Sequence, residues 1–466
     1  MRSLFITITL LFLFTNIGVS QKFQLKLTLE SAKNKEVYLA HYYISNIYVD
    51  DTLKLDDNGF GIFKKDTLLP QGLYKIYLNE KNHFDFIIGA DQDFELSNKT
   101  FTANTLSAQG AIETEEFIKY MDFFNNLKKE RNILQNQLKT APEAEKKKIQ
   151  NKLSNLTPRL IDYWKQISEK YPNTFLAGFL MSNYVPTLNE SELPPEIQQN
   201  DSLLLLEKFK YQQEHFWDHF DYTDERFLYT PLLKPKLETW FTKILYQNYD
   251  SIKPHIFNFI EDVRSNKRIF QFATSWFLNS SINSNVMGLD ALFVDIAQTY
   301  YLSGVAFWAN EESLKKINEN VLFLENNLIG KIAPDLTLES VDGEFFNLHQ
   351  IKEKRTCILI YEPNCSHCRE FVPQLYNEIY QKYKNKGLEI FAIYSMDDKE
   401  EWTEFILKHE LWDWINVWDK DHISQFKILY DGRKTPALFV LDESKKIIAK
   451  KLSVKQLDQL LQQDLN

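Results

Sequence analysis

The apolar run Cys357-Ile358-Leu359-Ile360-Tyr361 leads within three residues into Cys365-Ser366-His367-Cys368, and an amphipathic stretch follows directly. The run reads as a strand and the stretch as a helix, so the first thiol falls at a helix N-terminus. Free backbone N–H groups and the positive end of the helix dipole stabilise a thiolate there and lower its pKa. Cys365 is therefore the expected attacking sulfur. Cys368, one turn on, shares its face and can close a disulfide against it, passing two electrons to or from a partner thiol pair.

The chain holds three cysteines in 466 residues, none of them before Cys357. A disulfide-stabilised chain would need more, more widely spread, so the pair reads as working chemistry. Cys357 opens the strand, about 13 Å or more from the site at the rise of an extended chain, and reads as a buried, inert thiol.

Met1-Arg2, an apolar core from Leu4 to Phe14, and then Asn16, Gly18 and Ser20 before Gln21 read as a secretory signal peptide over residues 1–20. The core is well short of the roughly 20 apolar residues of a membrane helix. The expected mature protein is soluble in the periplasm or another extracytoplasmic space, with no membrane anchor after cleavage. A net charge of −10, spread along the chain, argues against nucleic acid as a partner.

The length suggests about three domains. Residues 21–108 read as an antiparallel β-sandwich. Phe23–Leu29 alternates with period two, similar segments recur at 36–40, 61–63, 73–78 and 85–88, and turns at Asp56-Asp57-Asn58-Gly59 and Pro70-Gln71-Gly72 separate them. Residues 109–327 read as all-α. Leu127, Leu134 and Leu138 lead to a break at Pro142, and Ile149, Leu153, Leu156, Leu160, Trp164 and Ile167 resume the period, which predicts an antiparallel helical pair. His215 and His219 have a spacing that can chelate zinc, but no third ligand suggests itself, and packing or surface roles fit them better.

Residues 328–466 form a third unit. Gly330-Lys331-Ile332-Ala333-Pro334-Asp335 opens it, and the strand into Cys365 follows. A helix then runs to about Asn385, with a strand at Leu388–Tyr394, a helix from Glu400 to His409, strands at Ala437–Leu441 and Lys446–Ala449, and a terminal helix from Val454. This β-α-β-α-β-β-α order is that of a thioredoxin-like α/β fold.

Gly330-x-x-Ala333-Pro334-Asp335, Cys365-x-x-Cys368, Pro373 in the following helix and Thr435-Pro436 resemble the TlpA/ResA-like thioredoxin-family thiol-disulfide oxidoreductases of bacterial envelopes. The resemblance covers residues 328–466. The sandwich and helical parts, including 220–226 and Met287-Gly288-Leu289-Asp290, resemble the uncharacterised domains preceding such a module. It implies a cis Pro436 beside the disulfide, with the backbone of Thr435 pairing with substrate. It also implies substrate proteins bearing thiols or disulfides, a redox partner it does not identify, and no cofactor beyond the Cys365–Cys368 disulfide.

This chain departs from the family at several positions. Asn364 stands where many thioredoxins carry Trp, and Leu359 where thioredoxin has a buried carboxylate. Phe371 replaces the Glu of ResA-like members, with Glu370 one residue earlier. Glu362 and Glu370 are the candidates for tuning the site. His367, between the cysteines, could favour the Cys365 thiolate and make the pair more oxidising, whereas the resemblance points to a reductant. A peroxiredoxin would need Thr or Ser at position 362 and Pro at 358, where Glu and Ile stand. A copper or zinc carrier using Cys365, His367 and Cys368 is one alternative. A binding protein with a vestigial redox module is another.

Overall fold

The computed structural model describes residues 22–465, so the segment read as a signal peptide lies outside them. The chain divides into two compact units, one ending at Ile244 and one beginning at Leu245. Among the described residues no helix is long and apolar enough to cross a membrane.

The first unit opens with β1 (Phe23–Leu29), β2 (Glu36–Tyr43), β3 (Asn46–Lys54), β4 (Phe60–Lys65), β5 (Gly72–Asn79), β6 (Asn82–Ile88), β7 (Asp93–Asn98) and β8 (Leu106–Gln109). These form two four-stranded sheets, ordered β4-β1-β7-β8 and β3-β2-β5-β6. Every pairing is antiparallel except that of β1 with β7, which is parallel. Alternate residues of both sheets meet in one core: Leu25 and Leu27, Phe94 and Leu96, Val37 and Leu39, Tyr74 and Ile76. The period-two pattern of β1 follows from this, since one face packs and the other meets solvent.

Leu73 of β5 and Ile87 of β6 point the other way, into a layer of Phe117, Tyr120, Trp164, Ile167 and Phe175. Helices therefore cover the outer face of the second sheet. The helical pair forms as its spacing predicts. Ile112–Thr140 ends before Pro142, and Glu143–Ser154 and Leu156–Lys170 return along it. Leu127, Leu134, Ile149, Leu153 and Leu156 are packed between them.

Three strands of this unit escape the sequence reading. β3 is an edge strand whose exposed Ile47, Tyr48 and Val49 and the Asp50-Asp51 pair leave no alternating pattern. β7 and β8 are short, and what defines them is pairing with β1 and with each other.

The second unit carries helices at Tyr249–Asp262, Lys267–Ile282, Asp290–Ile296 and Glu311–Leu324, followed by a seven-stranded sheet. Its strands are β9 (Thr337–Ser340), β10 (Phe345–Asn347), β11 (Arg355–Tyr361), β12 (Leu388–Tyr394), β13 (Ile415–Trp418), β14 (Ala437–Leu441) and β15 (Ile447–Lys450). The order is β10-β9-β13-β12-β11-β14-β15, with β11, β12 and β13 parallel. β13 is also absent from the sequence reading, because four residues ending in Trp418 and preceded by Trp412 and Trp414 carry no period of their own.

β11 is buried on both faces. Cys357, Leu359 and Tyr361 face one layer, with Val372, Leu375, Leu457 and Leu461 of the flanking helices. Ile358 and Ile360 face the other, with Leu336, Phe391 and Phe439. The continuous apolar run is the signature of such a strand.

Lys450, 3% exposed, pairs with Asp290 at the start of the Asp290–Ile296 helix and donates to the Asn327 carbonyl at 2.9 Å and its side-chain oxygen at 3.1 Å. A buried charge is tolerated only when paired in this way. Asp290→Ala should therefore cost about 3 kcal/mol in denaturant unfolding of this unit, by leaving the ammonium uncompensated. Asp290→Leu with Lys450→Met should recover most of that loss. Equal losses in the single and double variants would show that the pair contributes nothing specific.

Candidate active site

β11 ends at Tyr361, and Glu362-Pro363-Asn364 turns the chain into the helix Ser366–Gln374, with Cys365 as its N-cap residue. The Cys365 N–H bonds the Glu362 carbonyl at 3.1 Å, and the Arg369 N–H bonds the Cys365 carbonyl at 3.1 Å. The turn is braced from below. Trp402 Nε1 donates to the Tyr361 hydroxyl at 2.9 Å, and its ring stacks on Tyr394 at 5.4 Å between centroids. The Asn364 side-chain amide and the Tyr394 hydroxyl both donate to the Glu401 carboxylate. Pro373 offers no N–H inside the helix, and the helix widens into a π turn at Leu375–Tyr380 just beyond it.

The two thiols differ sharply. Cys365 is partly exposed, whereas Cys368 is fully buried, and both are free. Burial raises the Cys365 thiol, but hydrogen bonds from the backbone N–H groups of Cys368 and His367 and from the Thr435 and Cys368 side chains outweigh it and lower the pKa to about 7. The free donors of the helix's first turn supply this stabilisation. For Cys368 burial dominates and pushes the thiol up to about 12, against opposing hydrogen bonds from the Glu362 backbone and the Thr435 side chain. Cys357 lies deep in the core and is likewise pushed up to about 12 by burial.

Thr435-Pro436 is a cis peptide. The Cys365 Sγ donates to the Thr435 carbonyl at 3.4 Å, so the structure brings Cys365, Cys368, Thr435 and Pro436 together. Glu362 belongs to the same turn, and its carboxylate accepts from the Ser395 hydroxyl at 3.1 Å. His367 reaches the Cys365 sulfur through its backbone N–H, while its side chain, like that of Glu370, lines a groove of about 480 Å³ beside Pro436. Leu359 packs in the same layer as Cys368, so the wall beneath the second thiol is hydrocarbon.

Glu401 and Ser395 support the site and escape the sequence reading, because nothing in their own segments marks them, and Tyr361, read only as the end of the strand, gains its bracing contact with Trp402 from the fold. Among the described residues no three His, Cys, Asp or Glu side chains converge as a metal site. His215 pairs with Asp218, and His219 stacks on Tyr184.

Residues 329–450 match the AhpC/TSA family, and residues 134–326 match a domain of unknown function, DUF5106. Thiol-disulfide oxidoreductase ResA of Bacillus cereus is 26% identical over 136 residues, 29% of this chain and 76% of that protein. Of solved structures, a domain of a possible thiol-disulfide isomerase from Cytophaga hutchinsonii ATCC 33406 is 36% identical, with 29% of this chain and 92% of that chain covered and a TM-score of 0.28. A thioredoxin-like protein from Bacteroides caccae ATCC 43185 is 20% identical, covering 60% of this chain and 97% of that chain with a TM-score of 0.47. By its strand order and its family match, the C-terminal part of the chain is a thioredoxin-like domain. Through it the protein belongs with the TlpA/ResA-like thiol-disulfide oxidoreductases.

The separation of the two thiols sets a pH profile. In the reduced protein, the iodoacetamide reaction at Cys365 should rise through a midpoint near pH 7 as the thiolate forms. Cys368 and Cys357 should stay unmodified to about pH 10, as read by peptide mass spectrometry. A Cys365 midpoint near the ordinary thiol value of about 8.5, or equal labelling of the pair, would contradict the asymmetry.

Proposed function

We propose that the protein is an extracytoplasmic oxidoreductase that exchanges a Cys365–Cys368 disulfide with substrate proteins, Cys365 attacking and Cys368 resolving. The observation that carries this reading is the inequality of the thiols. One is accessible and half ionised near neutral pH, and the other is buried and protonated.

In the reducing direction the Cys365 thiolate attacks one sulfur of a client disulfide. The client S–S bond breaks, a Cys365–client bond forms, and the other client sulfur leaves as a thiolate. Cys368 then loses its proton and attacks Cys365, releasing the second client thiolate and closing the protein disulfide. Two electrons pass to the client, and the reverse sequence oxidises it.

The order of events is built into the electrostatics. The Cys365 charge is one of the influences that hold Cys368 protonated, and that charge vanishes when the mixed disulfide forms. Cys368 therefore ionises more readily only after a client is attached. Ionisation of Cys365 to the attacking thiolate removes the S–H donor, and the Thr435 carbonyl becomes free to accept a client backbone N–H. Glu362, whose carboxylate is held by Ser395, reaches Cys368 through its backbone N–H, and no cofactor beyond the disulfide enters the scheme.

Cys368→Ala should accumulate mixed disulfides with client proteins, seen as bands lost on reduction in non-reducing gels, whereas Cys365→Ala should accumulate none. Equal trapping by both variants would overturn the assignment of roles. The extracytoplasmic location rests on the apolar segment Leu4–Phe14. N-terminal sequencing of protein from the periplasmic fraction should begin at or near Gln21, and recovery from the cytosol with Met1 retained would refute it.

A further inference from the structure

Beside the dithiol, the groove of about 480 Å³ is lined by His367, Phe371, Pro436, Leu438, Lys451 and Val454, among others. A second hollow, of about 350 Å³, meets it at Lys451 and is walled by Ile282, Asn283 and Leu324 of the preceding helices together with Arg433 and Lys434. Lys434 immediately precedes the cis Thr435-Pro436 pair. The two hollows share Lys451, so the groove beside His367 and Pro436 adjoins the helical wall there.

The charges along these hollows are unequal. Asp290 is taken by Lys450, and Asp431 by Arg433. Lys434 and Lys451 are both exposed and, among the described residues, neither has a carboxylate within ion-pair distance. Glu370, on the helix that carries His367 and Cys368, is the one acid lining the first groove among the described residues. In a chain of net charge −10, two cations without a carboxylate partner, Lys434 next to Thr435 and Lys451 in the groove with His367 and Pro436, make a local positive site. Lys451 also holds a left-handed backbone, φ 59°, fixed by its N–H bond to the Leu438 carbonyl. Gly or Asn would occupy that position with less strain.

We propose that this groove selects client segments carrying Asp or Glu beside the reacting cysteine. Their carboxylates lie against Lys434 and Lys451, and a neighbouring apolar side chain lies against Phe371, Leu438 and Val454. The helices before the thioredoxin-like domain then take part in client choice, through Ile282 and Leu324. This rests on the exchange reading above and names the substrate class it would serve.

The test uses the full chain, reduced with dithiothreitol and then freed of it. Peptides of equal length hold one internal disulfide flanked either by Asp and Glu or by Lys, and oxidised glutathione serves as a small anionic disulfide. In each reaction the protein dithiol becomes a disulfide and the substrate disulfide becomes two thiols. The acidic peptide should react roughly three- to tenfold faster than the basic one at low ionic strength, the range expected for two exposed charge pairs. The preference should shrink at about 0.5 M salt and reverse in the Lys434→Glu/Lys451→Glu variant. The salt series on the unaltered protein stands whether or not that variant folds. Equal rates for the two peptides would overturn the acidic-client proposal while leaving thiol exchange intact, as would a charge preference confined to glutathione. Transfer to no disulfide at all would instead remove the exchange reading itself, and this proposal with it.

Discussion

The site depends on the immobility of one strand end. β11 pairs with β12 through seven residues on one side and with β14 through five on the other, and both its faces are packed. A one-residue slip would send Leu359 and Tyr361 into the wrong layer. The register therefore fixes where Tyr361 ends and where Cys365 leaves the sheet. Trp402 and Glu401, on the helix Lys399–His409, reinforce the point by bonding the strand end and the turn directly. A thiolate stabilised by backbone N–H groups needs those groups held in place, because their contribution falls away steeply with distance and angle.

Depth, more than residue type, then separates two chemically identical side chains. Cys365 lies at the mouth of the helix's unpaired donors and Cys368 one turn inside, against Leu359 and Val372. Donors at the first position outweigh burial, and burial wins at the second. A carboxylate beneath Cys368 would offer its proton an acceptor, but hydrocarbon stands there. The mixed disulfide, by cancelling the charge on Cys365, provides the change that eases release of that proton.

The preceding domains divide between two compact units, with the DUF5106 match running across the boundary at Ile244. In the first unit, helices cover the outer face of a sandwich sheet. In the second, four helices accompany the thioredoxin-like sheet, tied to β15 by the Lys450, Asp290 and Asn327 cluster. Burying an ammonium is costly unless every donor finds an acceptor, so this cluster specifies one seating of the Asp290–Ile296 helix on the sheet edge. That seating puts Ile282 and Leu324 beside the groove at Lys451.

The sequence alone determined whatever is local in cause. The alternation of β1, the helical pair broken at Pro142, the apolar run of β11 and the helix that begins at Cys365 each follow from short-range periodicity or from a backbone restriction. The Cys-x-x-Cys spacing likewise announces a dithiol. Resemblance of sequence singled out Thr435-Pro436 as its neighbour. What had no local signal was decided by pairing in three dimensions: β3 and β13, whose residues carry no pattern without partners, and the support from Tyr361, Ser395 and Glu401. Only the tertiary structure could rank the two thiols by depth, or leave Lys434 and Lys451 unpaired where Arg433 and Lys450 find carboxylates. Burial and ion pairing depend on residues distant in the chain, and a linear pattern does not encode which of them will meet.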